Sequence, residues 1–237
     1  MNEKANESSW FPLIVVACAS FIIVLDSFFM NVSISRIVVD LNADVSTIQM
    51  IVSFCTLITA ALILFSTKLQ DIVGKKKLFV IGAALFGIGI FAAVLSSSVT
   101  MFFVGWAAIK GVAAALMLPA IVSIISGIYS GRKRTIALAT LGVMAGLADI
   151  LAPLLGGLIT TFFSWRYTFA FELIFILFIL VMQNKIPDFK PTESKSDLDI
   201  IGAILSGICL LLLVLGILTL TKDVATSIIE ILLGLMV

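Results

Sequence analysis

Four ionisable side chains lie inside long apolar stretches of the sequence: Asp26, Lys110, Asp149 and Glu172. A charge at the centre of a lipid bilayer costs about 2.5–3.5 kcal/mol on insertion scales, so such residues usually face a partner or a water-filled cavity. A buried acid can hold a cation while it is ionised and release it when it is protonated. These residues therefore indicate proton or cation binding within a membrane.

Each of these residues also has a structural interpretation. Lys110 can neutralise a neighbouring acid and hold helices together. Glu172 is near the start of its apolar stretch and could snorkel toward the membrane surface. For Asp26 the functional interpretation is favoured, since acids within membrane segments default to function. Asn31, beside the polar face that carries Asp26, could contact a substrate or hydrogen-bond across helices.

Asp149 belongs to a helix face that is rich in small residues. Spacings of three and four residues put the following positions on one side of a helix: Gly142, Gly146, Asp149, Pro153 and Gly156 or Gly157. Small residues permit close approach of a second helix, and the proline can kink its own helix. We therefore expect Asp149 to point at another helix. It would act there either as a hydrogen-bonding member of a packing seam or as a proton site.

The composition excludes most soluble classes of protein. Of 237 residues, 61% are hydrophobic and 12% are charged, about half the charged share of a soluble domain. The net charge of +1 gives no basic footprint for nucleic acid. Histidine is absent, and Cys18, Cys55 and Cys209 are too far apart for a metal or disulfide pattern. We expect an integral membrane protein that is not an enzyme and has no cofactor and no metal.

Apolar stretches of the length that a bilayer requires, about 20 residues, recur along the chain. They predict seven transmembrane helices, over residues 11–32, 47–67, 78–96, 101–125, 136–162, 167–183 and 200–220, and a partial eighth over 224–237. The first stretch is too long for a signal peptide and no small-residue cleavage site follows it, so we expect it to be retained. The predicted fold class is an all-α membrane protein.

The domain organisation follows from these stretches. We expect a cytoplasmic N-terminus over residues 1–10 and a six-helix transmembrane bundle over 11–184. The segment 185–199 contains two prolines and mixed charges, which predicts a cytoplasmic linker. A seventh span over 200–221 and the start of a truncated eighth over 224–237 follow the linker.

The distribution of Lys and Arg predicts the orientation. One set of helix ends carries Lys4, Lys68, Lys75, Lys76, Lys77, Arg132, Lys133, Arg134, Lys185, Lys190 and Lys195. The opposite ends carry only Arg36, Arg166 and Lys222. Because cytoplasmic loops are enriched in Lys and Arg, we expect the N-terminus in the cytoplasm of a multi-pass protein of the cell membrane.

Two segments resemble known motifs of transporters. LDSFFMNVSISRI (25–37) resembles the first-helix signature L-D-x-x-I-V-N-V-A-L-P-x-I of the fourteen-span drug:proton antiporters of the major facilitator superfamily, which Asp26 and Asn31 match. TKLQDIVGKKKLF (67–79) resembles the superfamily's loop motif G-x-L-x-D-R-x-G-R-K-x. The matching positions are Leu69, Asp71, Gly74, Lys75 and Lys76. The resemblance implies that this loop latches the two halves of a transporter and gates its conformational change.

Further segments match the same family in the same order. WAAIKGVAAALMLPA (106–120) resembles R-x-x-Q-G-x-G-A-A, with Ala107 in place of the arginine and Lys110 in place of the glutamine. ADILAPLLGGLI (148–159) resembles the antiporter motif G-x-x-x-G-P-x-x-G-G. WRYTF (165–169) resembles W-R-W-x-F, and Glu172 stands where the family usually has asparagine. The antiporter-motif positions that match are Pro153, Gly156 and Gly157.

The resemblance implies a six-helix N-terminal bundle of the major facilitator fold, with one further full span and a partial one. It implies the N-terminal portion of a secondary active transporter for proton-coupled export of drugs or other lipophilic or cationic molecules. The partners would be protons, a small-molecule substrate, the lipid bilayer, and a missing C-terminal half or a second copy. The alternative is a non-transporting remnant or half-transporter that acts only as a membrane assembly partner.

Overall fold

The computed structural model describes residues 9–189, together with Leu205 and Cys209. Six long helices follow one another in residues 9–189: α1 (Phe11–Asp40), α2 (Val45–Val73), α3 (Lys75–Val94), α4 (Val99–Ile128), α5 (Gly131–Phe162) and α6 (Trp165–Met182), the last continued by a short 3-10 turn (Gln183–Lys185). All six are long and apolar enough to cross a membrane. The predicted all-α membrane fold is confirmed.

The predicted helix ends differ from those observed because apolarity does not set a helix terminus. α1 continues beyond residue 32 to Asp40, through the polar residues that follow the apolar stretch. Helices instead end where capping groups or special backbone conformations allow it. The side-chain oxygen of Ser98 accepts from the backbone N–H of Met101 at the start of α4, and Ser164 does the same for Arg166 at the start of α6.

The predicted seventh span, the partial eighth span and most of the predicted linker fall on residues outside the described part of the chain. Leu205 and Cys209, which belong to the predicted seventh span, are both helical. The domain boundaries proposed for that region stay predictions.

α1 is the central helix of the bundle. In its most apolar window 67% of the residues are buried, whereas the corresponding share for α5 is 17%. α1 packs most extensively against α5 and also contacts α6 and α4. The difference in burial means that α1 is surrounded by helices, while α5 presents a broad face away from the described bundle.

α3 and α4 cross at two glycines. A Cβ atom added to Gly89 would lie 2.7 Å from the carbonyl oxygen of Gly105 and 2.9 Å from the backbone nitrogen of Lys110. Since both neighbours are backbone atoms, only glycine permits this approach. Directly after Phe102, α4 changes to a π-helical turn over Phe103–Ile109. The crossing therefore positions the segment that leads into Lys110.

Candidate functional site

Asp26 and Lys110 form an ion pair in the interior of the bundle. Asp26 on α1 is 1% exposed, and Lys110 on α4 is 4% exposed. The ammonium of Lys110 donates to Oδ2 of Asp26. The indole Nε1–H of Trp106 donates to Oδ1 at 3.0 Å. Both oxygens of the carboxylate thus receive a donor, and Lys110 takes the neutralising role that one interpretation of the sequence assigned to it.

Two residues of α4 reach the same carboxylate, one within the π-helical turn and one directly after it. Trp106 and Lys110 are four residues apart and lie on one side of the helix, with Lys110 Nζ 3.6 Å from the centroid of the Trp106 ring. A cation over an indole ring is stabilised by the ring quadrupole. Short π-helical turns are often found at functional sites. Trp106 does not stand out in the sequence as a site residue, although its spacing of four residues from Lys110 is a signal that both share one face of a helix.

A cavity of about 280 Å³ opens beside the ion pair. Asp26 and Lys110 line it together with residues of α1, α2, α3 and α4: Ile23, Ser27, Cys55, Thr56, Thr59, Ala60, Phe86, Ala114 and Leu118. Mostly apolar walls with a few convergent polar groups are typical of small-molecule sites. A second cavity of about 250 Å³, between α2 and the start of α4, has no charged side chain in its lining.

Thr59 holds α2 against α4 at the wall of the first cavity. Its hydroxyl lies 2.9 Å from the carbonyl oxygen of Cys55 in its own helix and 3.1 Å from the carbonyl oxygen of Gly111 in α4. A Cβ on Gly111 would come within 3.2 Å of the Cys55 oxygen, so the two backbones are in close contact. At this part of the cavity wall the backbones of α2 and α4 are therefore in direct contact.

Glu172 is the third charged residue at this centre, beside Asp26 and Lys110. It lies on α6 and is 0% exposed, and neither of its carboxylate oxygens has a hydrogen-bond partner among the described residues. Asp26 and Lys110 are close enough to act on its charge. The alternative in which Glu172 snorkels toward the membrane surface is wrong, because its side chain is completely buried beside Asp26 and Lys110. The structure brings together acids from α1 and α6 and a lysine from α4.

Asn31 does not join two helices within the described residues. Its side chain is exposed, and its amide donates to the carbonyl oxygen of Ser27, one turn earlier in α1, at 2.9 Å. Ser27 itself lines the cavity. Asn31 therefore lies on the open side of α1, next to the cavity lining rather than in a helix seam.

The small-residue face of α5 divides between two environments. Gly156 packs on α1, where a Cβ would lie 3.1 Å from the ring of Phe29. Gly142, Gly146 and Gly157 have no atom within 4 Å of such a Cβ, and the side chains of Asp149 and Pro153 are exposed. The stripe that α5 buries is a neighbouring one: Ala137, Leu141, Ala148, Ala152, Gly156 and Thr160.

The expectation that Asp149 faces another helix is thus not met within residues 9–189. The physical reason is that α1 packs on the alanine-rich stripe, and this leaves most of the glycine face uncovered.

The loop between α2 and α3 contacts the chain that follows α6. Gly74 has φ of +101°, a backbone conformation that favours glycine, and it separates the two helices by a single residue. Lys76 forms an ion pair with Asp188 at 2.9 Å, and Lys75 Nζ lies 5.7 Å from the ring centroid of Phe189. Leu69 and Asp71, at the end of α2, are partly buried.

Six membrane-length helices around a buried charged pair define the class: a helical membrane protein with an internal polar site. The family model described as Major Facilitator Superfamily matches residues 16–197. The chain belongs to this superfamily of transporters.

Curated relatives are similar over most of this chain. The riboflavin transporter RibZ of Clostridioides difficile (strain 630) is 26% identical, and the match covers 89% of this chain and 46% of the relative. The lincomycin resistance protein of Streptomyces lincolnensis is 26% identical (92% and 45%). The cephamycin export protein CmcT of Amycolatopsis lactamdurans is 31% identical (86% and 43%). The chain spans about half the length of these relatives.

A solved structure of the peptide transporter POT in complex with sulfate has the same fold. It is 17% identical, with a TM-score of 0.70, and the match covers 92% of this chain and 48% of that chain. The similarity applies to the helical architecture.

Proposed function

We propose that this chain is the N-terminal portion of a secondary active transporter that exports drugs or other lipophilic or cationic molecules in exchange for protons. The antiporter would be of the fourteen-span type. Family membership supports transport, and two relatives are named for lincomycin resistance and cephamycin export. The observation that carries the proposal is the Asp26–Lys110 pair in the lining of an internal cavity.

The energetics of the pair favour a functional role. Removing two charges from water is expensive, and replacement of a buried ion pair by apolar residues is often neutral or stabilising. A pair retained in the interior of a membrane bundle and open to a cavity is therefore suited to binding. A cation in this cavity would lie beside the Asp26 carboxylate, and a proton added at this centre would weaken its attraction.

The remaining candidate residues have places in this proposal. Asn31, on the open side of α1, would contact the substrate beside the cavity. Asp149 would act on the uncovered face of α5 as a second polar group. The loop of Leu69, Asp71, Gly74, Lys75 and Lys76 would gate the movement. The N-terminus would lie in the cytoplasm of a cell-membrane protein, as the distribution of Lys and Arg predicts.

Alternating access requires a second half against which this bundle can rock. We propose that the uncovered face of α5 packs against that half, supplied by a C-terminal continuation or by a second copy. The support is that Gly142 and Gly146 leave room for close helix contact and that the chain spans about half the length of its relatives. This face also supports the second candidate function, a half-transporter or remnant that acts only through assembly.

The experiment is proton flux in inverted membrane vesicles that contain the complete gene product. Addition of a lipophilic monovalent cation such as tetraphenylphosphonium should release protons from acidified vesicles. Asp26→Asn should abolish this substrate-dependent flux, because the carboxylate that holds the cation is lost. Asp44→Asn, an exposed acid at the start of α2, is the matched control and should leave the flux unchanged.

Unchanged flux in Asp26→Asn would rule out this residue as the coupling site. An absence of cation-dependent flux in the parent, with the protein correctly inserted, would favour the assembly-only function instead.

A further inference from the structure

Glu172 differs from Asp26 in what surrounds its carboxyl group. Asp26 receives the ammonium of Lys110 on one oxygen and the indole N–H of Trp106 on the other. Glu172 is fully buried and, in the part of the chain that the structure describes, receives no hydrogen bond on either oxygen. An ionised carboxylate without partners in an apolar interior is far more costly than the neutral acid, which loses its charge by holding a proton.

The charged groups that act on Glu172 come from two of the helices around it. They are Asp26 from α1, which is also an acid, and Lys110 from α4. The ammonium of Lys110 already forms an ion pair with Asp26. The charged side chains of α3 are confined to its first turn, and those of α5, Arg132, Lys133, Arg134 and Asp149, are all exposed. One lysine cannot neutralise two acids, so one of the two carboxyl groups must hold a proton for the centre to be neutral.

From this arrangement we propose that Glu172 is the exchangeable proton site of the transporter and that Asp26 stays ionised beside Lys110. A protonated Glu172 becomes a hydrogen-bond donor, and Asp26 is the acceptor beside it. This inference rests on the proposed transport function and adds to it the residue that carries the proton. Glu172 does not line the cavity, so it acts on the substrate through the charge of Asp26 and Lys110.

The charge balance identifies the substrate class. With Glu172 protonated, Asp26 carries one negative charge and Lys110 one positive charge, and the centre is neutral. When Glu172 releases its proton to water, the centre has one uncompensated negative charge. One monovalent cation in the cavity restores neutrality, and reprotonation of Glu172 removes the attraction that holds it. The expected exchange is one proton for one monovalent cation, with no net charge transferred at this centre.

Infrared spectroscopy of the complete gene product in lipid nanodiscs at neutral pH tests the protonation without any substrate. The parent should show the C=O stretching band of a protonated carboxyl group, shifted by exchange into D2O. Glu172→Gln should lose this band, and Asp44→Asn, at an exposed acid, should retain it. A spectrum of Glu172→Gln with the band intact would overturn the assignment.

Proton release on cation binding tests the coupling. In weak buffer the parent should release one proton for each tetraphenylphosphonium bound, and its affinity should rise about tenfold per pH unit in the range where Glu172 is protonated. Glu172→Gln should release none and bind with an affinity independent of pH, whereas Glu172→Asp should restore release. A merely structural role of Glu172 would not change this pH profile.

The outcomes separate the two proposals. If the parent exchanges a proton for the cation and Glu172→Gln does so equally, the assignment of Glu172 is wrong while the transport function stands. If the parent binds the cation without releasing a proton, proton-coupled transport fails and the role of Glu172 fails with it.

Discussion

Asp26 on α1 and Asp149 on α5 are the same residue type in comparable apolar helices, yet their surroundings are opposite. Asp26 is buried, paired with Lys110 and hydrogen-bonded by Trp106. Asp149 is exposed, on a face where a Cβ at Gly142 or Gly146 would have no described atom within 4 Å. The difference comes from the helix that carries each acid, since α1 is enclosed by the bundle and α5 is at its edge.

The role of an acid in an apolar segment depends on where it lies relative to the buried stripe of its helix. Asp26 shares the buried side of α1 with Met30 and Ser33. Asp149 follows Ala148, which is buried against the bundle, by a single residue, and one residue turns a helix by about 100°. Asp26 therefore interacts with other residues inside this bundle. Asp149 is free to contact a segment that packs on the uncovered face of α5.

Substitution of Lys110, the partner of Asp26, should give the largest loss of stability. Lys110→Met leaves the Asp26 carboxylate buried with Trp106 as its single donor, and we expect a loss of about 3–5 kcal/mol in the free energy of unfolding. Denaturant unfolding of the purified chain in detergent measures it. Lys77→Met, at an exposed lysine of α3, is the control, and the double variant Asp26→Asn/Lys110→Met should lose less than Lys110→Met. A Lys110→Met variant as stable as the parent would contradict the buried ion pair.

A matched pair of glycines gives an intermediate effect. In Gly89→Val the new side chain meets backbone atoms of α4 at 2.7 and 2.9 Å, so the helices must separate, at a cost of about 1–3 kcal/mol. Gly142→Val meets no atom within 4 Å, and its stability in this chain should stay within about 0.5 kcal/mol of the parent.

Transport by the complete gene product should nevertheless fall in Gly142→Val if a second half packs on α5, because the added methyl groups prevent close contact. The measurements are unfolding in detergent and cation-dependent proton flux in vesicles. Full transport by Gly142→Val would argue against α5 as the surface that meets the second half.

Substitution of Asp149 on α5 by asparagine should change the free energy of unfolding least, and the same substitution at Asp26 on α1 is its comparison. Asp149→Asn removes an exposed charge that has no partner in residues 9–189, and we expect less than about 0.5 kcal/mol of change in the unfolding free energy of this chain. Asp26→Asn removes the buried carboxylate to which both Lys110 and Trp106 donate, and should lose clearly more. Thermal unfolding of both variants in the same detergent measures the difference, and equal losses would remove the distinction between the two helices.

Much of the fold could be predicted because membrane helices follow from local composition. Five of the six apolar stretches between residues 11 and 183 lie within an observed helix, and the third, 78–96, passes the end of its helix at Val94 by two residues. Their ends could not be predicted, since capping at Ser98 and the backbone conformation of Gly74 decide where helices stop. Asp26, Lys110 and Glu172 could be singled out by their cost in a membrane, but their meeting could not, because they come from three helices distant in sequence.

The sequence by itself determined the class of protein, the number of spans in the described region, the motif order of the superfamily and the four charges that a bilayer would penalise. These properties depend on composition and on neighbours along the chain. Only the tertiary structure decided that Lys110 joins Asp26, that Trp106 completes the carboxylate's donors, that Glu172 has none, and that Asp149 is uncovered. Helix packing makes these decisions, because the rotation of each helix determines which stripe it buries and therefore which charges find partners.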